Sequence, residues 1–578
     1  MQFLLAAINA KYIHSNPAIY SLRAYAGEEY ADSVSLAEYT INNRPEEILA
    51  DLYKRKPDAI GFSCYIWNWE MIKLLLKELP KVLPQTDLWL GGPEVSFNPQ
   101  EIMEEFPMLK GIMLGEGEDT FRELIACYEQ TLANIPGLYL KSGCTQEREP
   151  IEIDSLPFYY DDLEAFENRI IYYESSRGCP FRCSYCLSSI DKKVRLRSFE
   201  KVKKELRFFL DKRVAQVKFV DRTFNCSREH ALQIWSYLLE HDNGVTNFHF
   251  EIAADLLEEE ELSLLARMRP GLVQLEIGVQ STNQQTLEAI NRKTDINRIK
   301  EIVERINSNK NIHVHLDLIV GLPYEDYESF QESFNDVYHM RPQQLQLGFL
   351  KVLKGSPIAG QVKEFGIVYQ ERSPYEVLYT KWISYEQVLR LKRIEEMVEL
   401  YYNSNQFRHM LPVLEQEFED AFSMFDALGE YYERKGYFLK SPARARRYEV
   451  LLEFACEKNG EKRALYQELL TFDFYLREKP GSRPVYALDV NGFRDHIWQF
   501  YQQEEEQPRY LKDYEAYHAR QTMKMTHLEP FFYPVWKEEP GEVLMKMEKP
   551  EFVLFDYQKR DPLTGDGTYR CVNSEALR

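Results

Sequence analysis

The sequence predicts an α/β chain in three parts. Residues 1–140 read as a doubly wound, five-stranded parallel sheet. Residues 166–375 read as a curved parallel sheet or partial barrel of six βα units, and residues 376–578 as a mainly helical domain with a few strands. Two observations predict this. Strand-like and helix-like patterns alternate in two runs, separated by a polar, proline-bearing linker at 141–165. Beyond about 375 the alternation gives way to long, charged helical stretches. A chain of 578 residues accommodates roughly three domains of about 100–200 residues. A hydrophobic fraction of 44% suffices to bury their cores.

In the first part the strand candidates are Gln2–Asn9, Ser33–Tyr39, Ala59–Cys64, Leu88–Gly91 and Gly111–Leu114. Helical stretches such as Pro45–Lys56 and Glu70–Leu83 lie between them. Gly61, Gly91, Gly92, Gly115 and Gly117 fall at or just after strand ends, where ligands of such folds bind. In the second part the strand candidates are Ile171–Ser175, Gln216–Val220, Asn247–Ile252, Val273–Ile277, His313–Val320 and Gln344–Leu350. The helical stretches there include Phe199–Lys212, Arg228–Glu240 and Arg298–Ile306, and chemistry is again expected at strand C-termini. In the last part, Val485–Val490 and Phe552–Tyr557 are short strand candidates. Tyr401, Tyr402 and Phe407 are expected to be core, and Lys440–Arg447 a surface turn leading into a helix.

The balance of 71 basic against 92 acidic residues gives a net charge of −21, which disfavours general binding to nucleic acid or anionic membranes. The run Lys192–Arg213 is the exception, with ten basic residues against three acidic ones. It reads as a solvated helix face with some phosphate or carboxylate contacts. The N-terminus lacks a basic region and a cleavage site, and no run approaches 18 apolar residues. A cytoplasmic protein without a membrane partner is expected.

Nine cysteines are too few for a disulfide scaffold of this size. Six are scattered, but Cys179, Cys183 and Cys186 fall within eight residues as C-x₃-C-x₂-C. Three thiolates on one tight loop can bind three irons of a [4Fe–4S] cubane and leave the fourth open. A structural zinc site would require a second ligand pair, which does not follow.

This loop, with Tyr185 before the third cysteine, resembles the signature of the radical S-adenosylmethionine superfamily. The resemblance implies a partial (β/α)6 barrel. It also implies an open iron that chelates S-adenosylmethionine, and a 5′-deoxyadenosyl radical that abstracts hydrogen from a substrate. Later segments resemble the superfamily's S-adenosylmethionine contacts: Asp221 in Val220–Phe224, Glu251 in Glu251–Asp255, Glu276, Gln280 and Ser281 in Glu276–Ser281, and Gly321 in Leu318–Pro323. Residues 1–140 resemble the cobalamin-binding domain that precedes many such enzymes. The resemblance is carried by Gly61–Ser63, by Gly91, Gly92, Pro93 and Glu94, and by Gly115, Glu116 and Gly117; Ser63 is included among the cobalamin contacts. No D-x-H-x-x-G motif is present to supply a histidine to cobalt, and His14 reads as an exposed loop residue.

These resemblances imply a cobalamin-dependent radical enzyme that methylates an unactivated carbon of a small-molecule or peptide substrate. A reductase or flavodoxin-type protein would donate electrons. One alternative keeps both cofactors for a rearrangement or oxidation without methyl transfer. Another is a non-catalytic, metal-stabilised interaction scaffold, which an iron count near four and cleavage of S-adenosylmethionine would exclude. With only Cys64 and Cys127 in the N-terminal part, a second cysteine triad for sulfur insertion is missing.

Overall fold

The structure, a computed structural model, describes residues 1–572 except 192, 480 and 538–543. Lys192, the first residue of the basic run, therefore lies outside the described residues, as do residues 573–578. The chain forms two compact units. The first comprises Met1–Ile312, Ile319–Asp326 and Gly348–Tyr385. The second comprises His313–Leu318, Tyr327–Leu347 and the chain from Glu386 onward.

The N-terminal sheet holds β1 (Phe3–Asn9), β2 (Val34–Thr40), β3 (Ala59–Ser63), β4 (Asp87–Gly91) and β5 (Leu109–Met113). It extends through β6 (Leu138–Leu140) and β7 (Gly143–Cys144), in the order β2-β1-β3-β4-β5-β6-β7. The first five strands pair in parallel, as expected. The sheet departs from the expected five strands because β6 and β7 add an antiparallel hairpin at the β5 edge. That hairpin takes up the start of the stretch expected to be linker. All seven residues of β1 are buried, as a central parallel strand covered on both faces requires. The strand order reverses at β1, so the carboxyl ends of β1 and β3 border a crevice.

The second sheet holds β8 (Ile171–Tyr173), a two-residue ladder of β9 (Ser176–Arg177) with β10 (Arg195–Leu196) lying apart from it, then β11 (Gln216–Phe219), β12 (Asn247–Ile252), β13 (Val273–Gln280), β14 (His313–Val320) and β15 (Gln344–Phe349). Its order, β8-β11-β12-β13-β14-β15, follows the chain, and the helices between strands give the six βα repeats expected of a partial (β/α)6 barrel. Val217, Phe219, Phe248, Phe250, Leu275 and Ile277 are buried, while Lys218, Glu251 and Glu276 alternate with them. One side of these strands therefore supplies core and the other supplies charge. Of the basic run, Arg197 is buried against Glu205 and Arg195 is ion-paired, whereas Lys203, Lys204 and Arg207 form an exposed helix face.

In the second unit, the helices Ala421–Lys435, Arg444–Lys458 and Arg463–Arg477 precede an antiparallel sheet of β18 (Thr526–Phe531), β19 (Glu551–Arg560) and β20 (Gly567–Val572). The intervening short pair is β16 (Val368–Tyr369) with β17 (Val377–Tyr379), in the first unit. Val485–Val490 is not a strand: the Ala487 amide closes a turn onto Pro484, and Val485 is exposed. Tyr401 and Phe407 are buried core residues, as expected. Among the described residues no helix is long and apolar enough to cross a membrane.

Candidate active site

The carboxyl ends of β3, β4 and β5 open onto a cavity of about 500 Å³. Ser63, Gly91, Gly92, Pro93, Gly115, Glu116 and Gly117 line it, and so do Arg177 and Gly178, which enter the cysteine loop. A second cavity of about 500 Å³ shares Tyr65, Glu118, Glu174, Arg177 and Arg222 with the first. Both lie wholly within the first unit. Two of the glycines are dictated by geometry. Gly92 has φ +107°, and a Cβ there would approach the Cys64 carbonyl oxygen to 2.6 Å. Gly115 has φ +69°, and a Cβ there would meet nothing within 4 Å. The first glycine lets two backbones touch; the second leaves cavity space unfilled.

Glu94 stands apart from this lining. Its carboxylate is buried, accepts a hydrogen bond from the Tyr375 hydroxyl and pairs with Lys354 Nζ at 3.0 Å. Glu116 lines the cavity but spends its charge on Arg195 at 2.6 Å and Arg177 at 3.2 Å. Burial would raise the Glu116 pKa; the two guanidinium groups outweigh it and hold the carboxyl below its ordinary range. Arg177 also pairs with Glu118 at 3.0 Å and with Glu174 at 2.8 Å. The cysteine loop is thereby tied to the loop after β5. His14 is half-buried rather than exposed: its Nδ1 lies 2.6 Å from the Tyr172 hydroxyl of β8, and it lines the second cavity.

The three cysteines are free thiols on one loop, Cys179 and Cys183 buried and Cys186 half-buried. Backbone bonds from Cys186 N to Cys183 O at 3.1 Å and from Ser184 N to Ile290 O at 2.8 Å shape the loop. Three soft donors on one short loop, with no fourth cysteine in it, fit a cubane cluster with one open iron. Arg292, which no sequence motif marked, places Nη1 3.6 Å from Cys183 Sγ and 3.2 Å from the Tyr185 hydroxyl, and its Nη2 donates to Gly278 O. Burial pushes the Cys183 thiol pKa up, and the Arg292 charge pulls against it. Burial pushes the thiol pKa of Cys226, one of the scattered cysteines, up to about 11, and the nearby Cys179 adds to the rise.

The remaining candidates divide into two groups. Glu251 and Glu276 flank Lys218, at 4.0 and 3.0 Å from its Nζ, and Gln280 closes β13 with φ +74°. Asp221 is fully buried instead. It accepts bonds from Ser175 N at 3.1 Å, Ser175 Oγ at 2.8 Å and Ser176 Oγ. Burial pushes its pKa up to about 6 against the pull of those serines. Ser281 is buried, donating to Glu325 Oε1 at 2.6 Å. Gly321 has φ +87°, and a Cβ there would meet Val377 at 2.8 Å, so packing against β17 demands the glycine. All three are buried, with their polar atoms or their space facing protein neighbours.

Comparison with known proteins gives this cleft its class. Residues 4–125 match the family model of the B12 binding domain, and residues 173–337 match that of the radical SAM superfamily. The chain therefore carries a B12-binding domain followed by a radical SAM domain. The first implies cobalamin; the second implies a [4Fe–4S] cluster and S-adenosylmethionine. Residues 363–555 match a further family model, described as a protein of unknown function (DUF4080).

Among individual proteins, the chain is similar to the cobalamin-dependent radical SAM methyltransferase TokK of Streptomyces tokunonensis. The two are 25% identical over 60% of this chain and 55% of TokK. The chain is also similar to the anaerobic magnesium-protoporphyrin IX monomethyl ester cyclase of Rubrivivax gelatinosus, 25% identical over 53% of this chain and 58% of the cyclase. It spans little more than half the length of these relatives. Its fold is similar to that of the cobalamin-dependent S-adenosylmethionine radical enzyme OxsB, with a TM-score of 0.56 and 16% identity over 80% of each chain.

Proposed function

We propose that this chain is a cobalamin-dependent radical S-adenosylmethionine methyltransferase acting on an unactivated carbon of a small-molecule or peptide substrate. The observation that carries this is a single cleft with the glycine loops of the B12-binding domain on one wall and the entry to the cysteine loop on another. In this reading Cys179, Cys183 and Cys186 hold the cluster. Ser63, Gly91, Gly92, Pro93, Gly115, Glu116 and Gly117 surround cobalamin. Tyr185, Glu251, Glu276 and Gln280 face S-adenosylmethionine. When bound, the cluster supplies the electron that cleaves S-adenosylmethionine, and cobalamin supplies the methyl group.

The protein's part is binding, orientation and charge. Asp221 gathers the Ser175–Ser176 backbone and hydroxyls, which fixes the strand that launches the cysteine loop. Arg292 places a cation beside Cys183 and orients Tyr185. Arg177 and Arg195 hold the loop after β5 against the same launch point. Lys218, Glu251 and Glu276 offer both signs of charge on one side of the sheet, which suits the zwitterionic methionine moiety. The exposed helix face of Lys203, Lys204 and Arg207 suits an acidic electron-donor protein, since steering between opposite charges speeds encounter.

A second reading, an oxidative or rearranging reaction without methyl transfer, is favoured by the similarity to the magnesium-protoporphyrin cyclase. One experiment separates the readings. Anaerobically reconstituted protein is supplied with hydroxocobalamin, desalted, and given dithionite and S-adenosylmethionine. Retained cobalamin with both 5′-deoxyadenosine and S-adenosylhomocysteine supports methyl transfer. 5′-Deoxyadenosine alone supports the second reading, and the absence of both in a cluster-loaded protein overturns the two together.

A further inference from the structure

The Gly91–Glu94 loop and the cysteine loop lie some 90 residues apart in sequence and meet a third segment. Lys354, five residues after β15, pairs with Glu94 at 3.0 Å, and its ammonium lies 5.1 Å from the centre of the Tyr375 ring and 6.0 Å from that of Trp69. The Tyr375 hydroxyl donates to the same Glu94 oxygen. Gly355 follows with φ +82°, and a Cβ there would come within 2.3 Å of the Phe97 ring. Three residues later the Ile358 amide donates to Ser184 O at 2.9 Å, and Ser184 stands between Cys183 and Tyr185. Ile358 itself is fully buried. A stretch of five residues thus grips one loop at its start and the other at its end. Fully extended, its backbone reaches no more than about 18 Å, so it limits how far the two loops can separate.

We propose that Lys354–Ile358 is a spacer that sets the glycine loop of the cobalamin wall against the cysteine loop, with Lys354 and Glu94 as positioning residues. Glu94 then acts on the loop that carries Pro93 and not on the cofactor. Its carboxylate is buried with both partners at one oxygen, so loss of the lysine leaves a buried charge short of its counter-ion. The spacer couples the two sites: strain at the Glu94 end is felt at Ser184. The inference rests on the two-cofactor reading for its cofactor measurements, and its first measurement does not depend on that reading.

The first measurement is amide hydrogen exchange on the cofactor-free full chain, comparing wild type with Lys354→Met and with Gly355→Ala, a second variant that acts on the same segment through Phe97. Exchange is expected to rise in both 91–97 and 182–186, while the helix Ala421–Lys435 stays unchanged. A rise in the glycine loop alone overturns the spacer whatever the cofactors do. The second measurement uses reconstituted protein. Lys354→Met is expected to weaken hydroxocobalamin binding about tenfold and to change the electron paramagnetic resonance line shape of the reduced cluster in cobalamin-free protein. Lys354→Arg is expected to restore both. An unaltered line shape in a folded Lys354→Met protein also overturns the coupling. Wild type that binds neither cofactor would instead count against the two-cofactor reading and leave the exchange result standing.

Discussion

Arg292 shows how one side chain can serve three parts of a site, reaching Cys183, Tyr185 and the Gly278 carbonyl from the turn after a short helix. With Cys183 holding the cluster as proposed, a cation beside its thiolate would stabilise the more negative, reduced state. Arg292→Met is expected to lower the cluster's reduction potential by on the order of 60 mV, about 1.4 kcal/mol for one electron. A redox titration followed by electron paramagnetic resonance reads this directly. An unchanged potential with full iron content would remove the residue from the cluster's electrostatics. The glycines make a sharper pair. Gly115→Asn tolerates the left-handed backbone and pushes atoms into open cavity, so it is expected to abolish hydroxocobalamin retention with little change in the unfolding midpoint. Gly92→Ala forces a Cβ to 2.6 Å from the Cys64 carbonyl oxygen and is expected to lower the midpoint itself. If both variants behave alike, the two glycines do not have separate reasons.

At the scale of elements, much was legible because local pattern and local structure coincide. β12, β14 and the helix Arg228–Glu240 have the bounds their periodicity gives, and the cysteine loop follows the first barrel strand as its spacing demands. The misses share a cause. β18 contains Pro530, which argues against a strand, yet its neighbour β19 supplies the pairing. Glu94 reads as a cofactor contact from its motif, and its pairing with Lys354, 260 residues away, lies beyond any local signal. Arg292 is invisible for the same reason.

The helix Arg463–Arg477 offers a test of such hidden contacts. Its Glu468 is buried and accepts the amides of Phe532 and Tyr533, both at 2.8 Å, which pins the end of β18. Burial raises its pKa from 4.5 to about 7, against the pull of those amides. The folded chain therefore holds this proton more tightly than the unfolded chain. Between pH 4.5 and 7 the group's contribution to stability falls as pH rises. Glu468→Gln keeps the acceptor and removes the charge. It is expected to gain about 1–3 kcal/mol relative to wild type between pH 5 and pH 8, seen as diverging urea midpoints. Parallel midpoints across that range would show that Glu468 does not titrate there.

At the scale of the molecule, the cleft concentrates its chemistry in one of the two compact units. Every residue that lines either cavity belongs to the first unit, including the glycine loops, Arg177 and the edge strand β8. A ligand that binds this folded cleft and not the unfolded chain stabilises it by about 2.7 kcal/mol at a hundredfold excess over its dissociation constant. Because the cleft belongs to one of the two units, a local probe reads the gain most directly. Hydroxocobalamin is therefore expected to slow amide exchange in β1, β3 and β4 and in the Gly115–Gly117 loop. The helices Arg444–Lys458 and Arg463–Arg477, which contribute nothing to either cavity, serve as the internal reference. Repeating the measurement in Gly115→Asn makes the test specific, since that variant should lose the protection while keeping the wild-type exchange pattern without ligand. Protection that survives the substitution would place cobalamin somewhere other than the cleft. Protection lost together with the ligand-free pattern would show that Gly115 supports the fold and does not make room for a ligand.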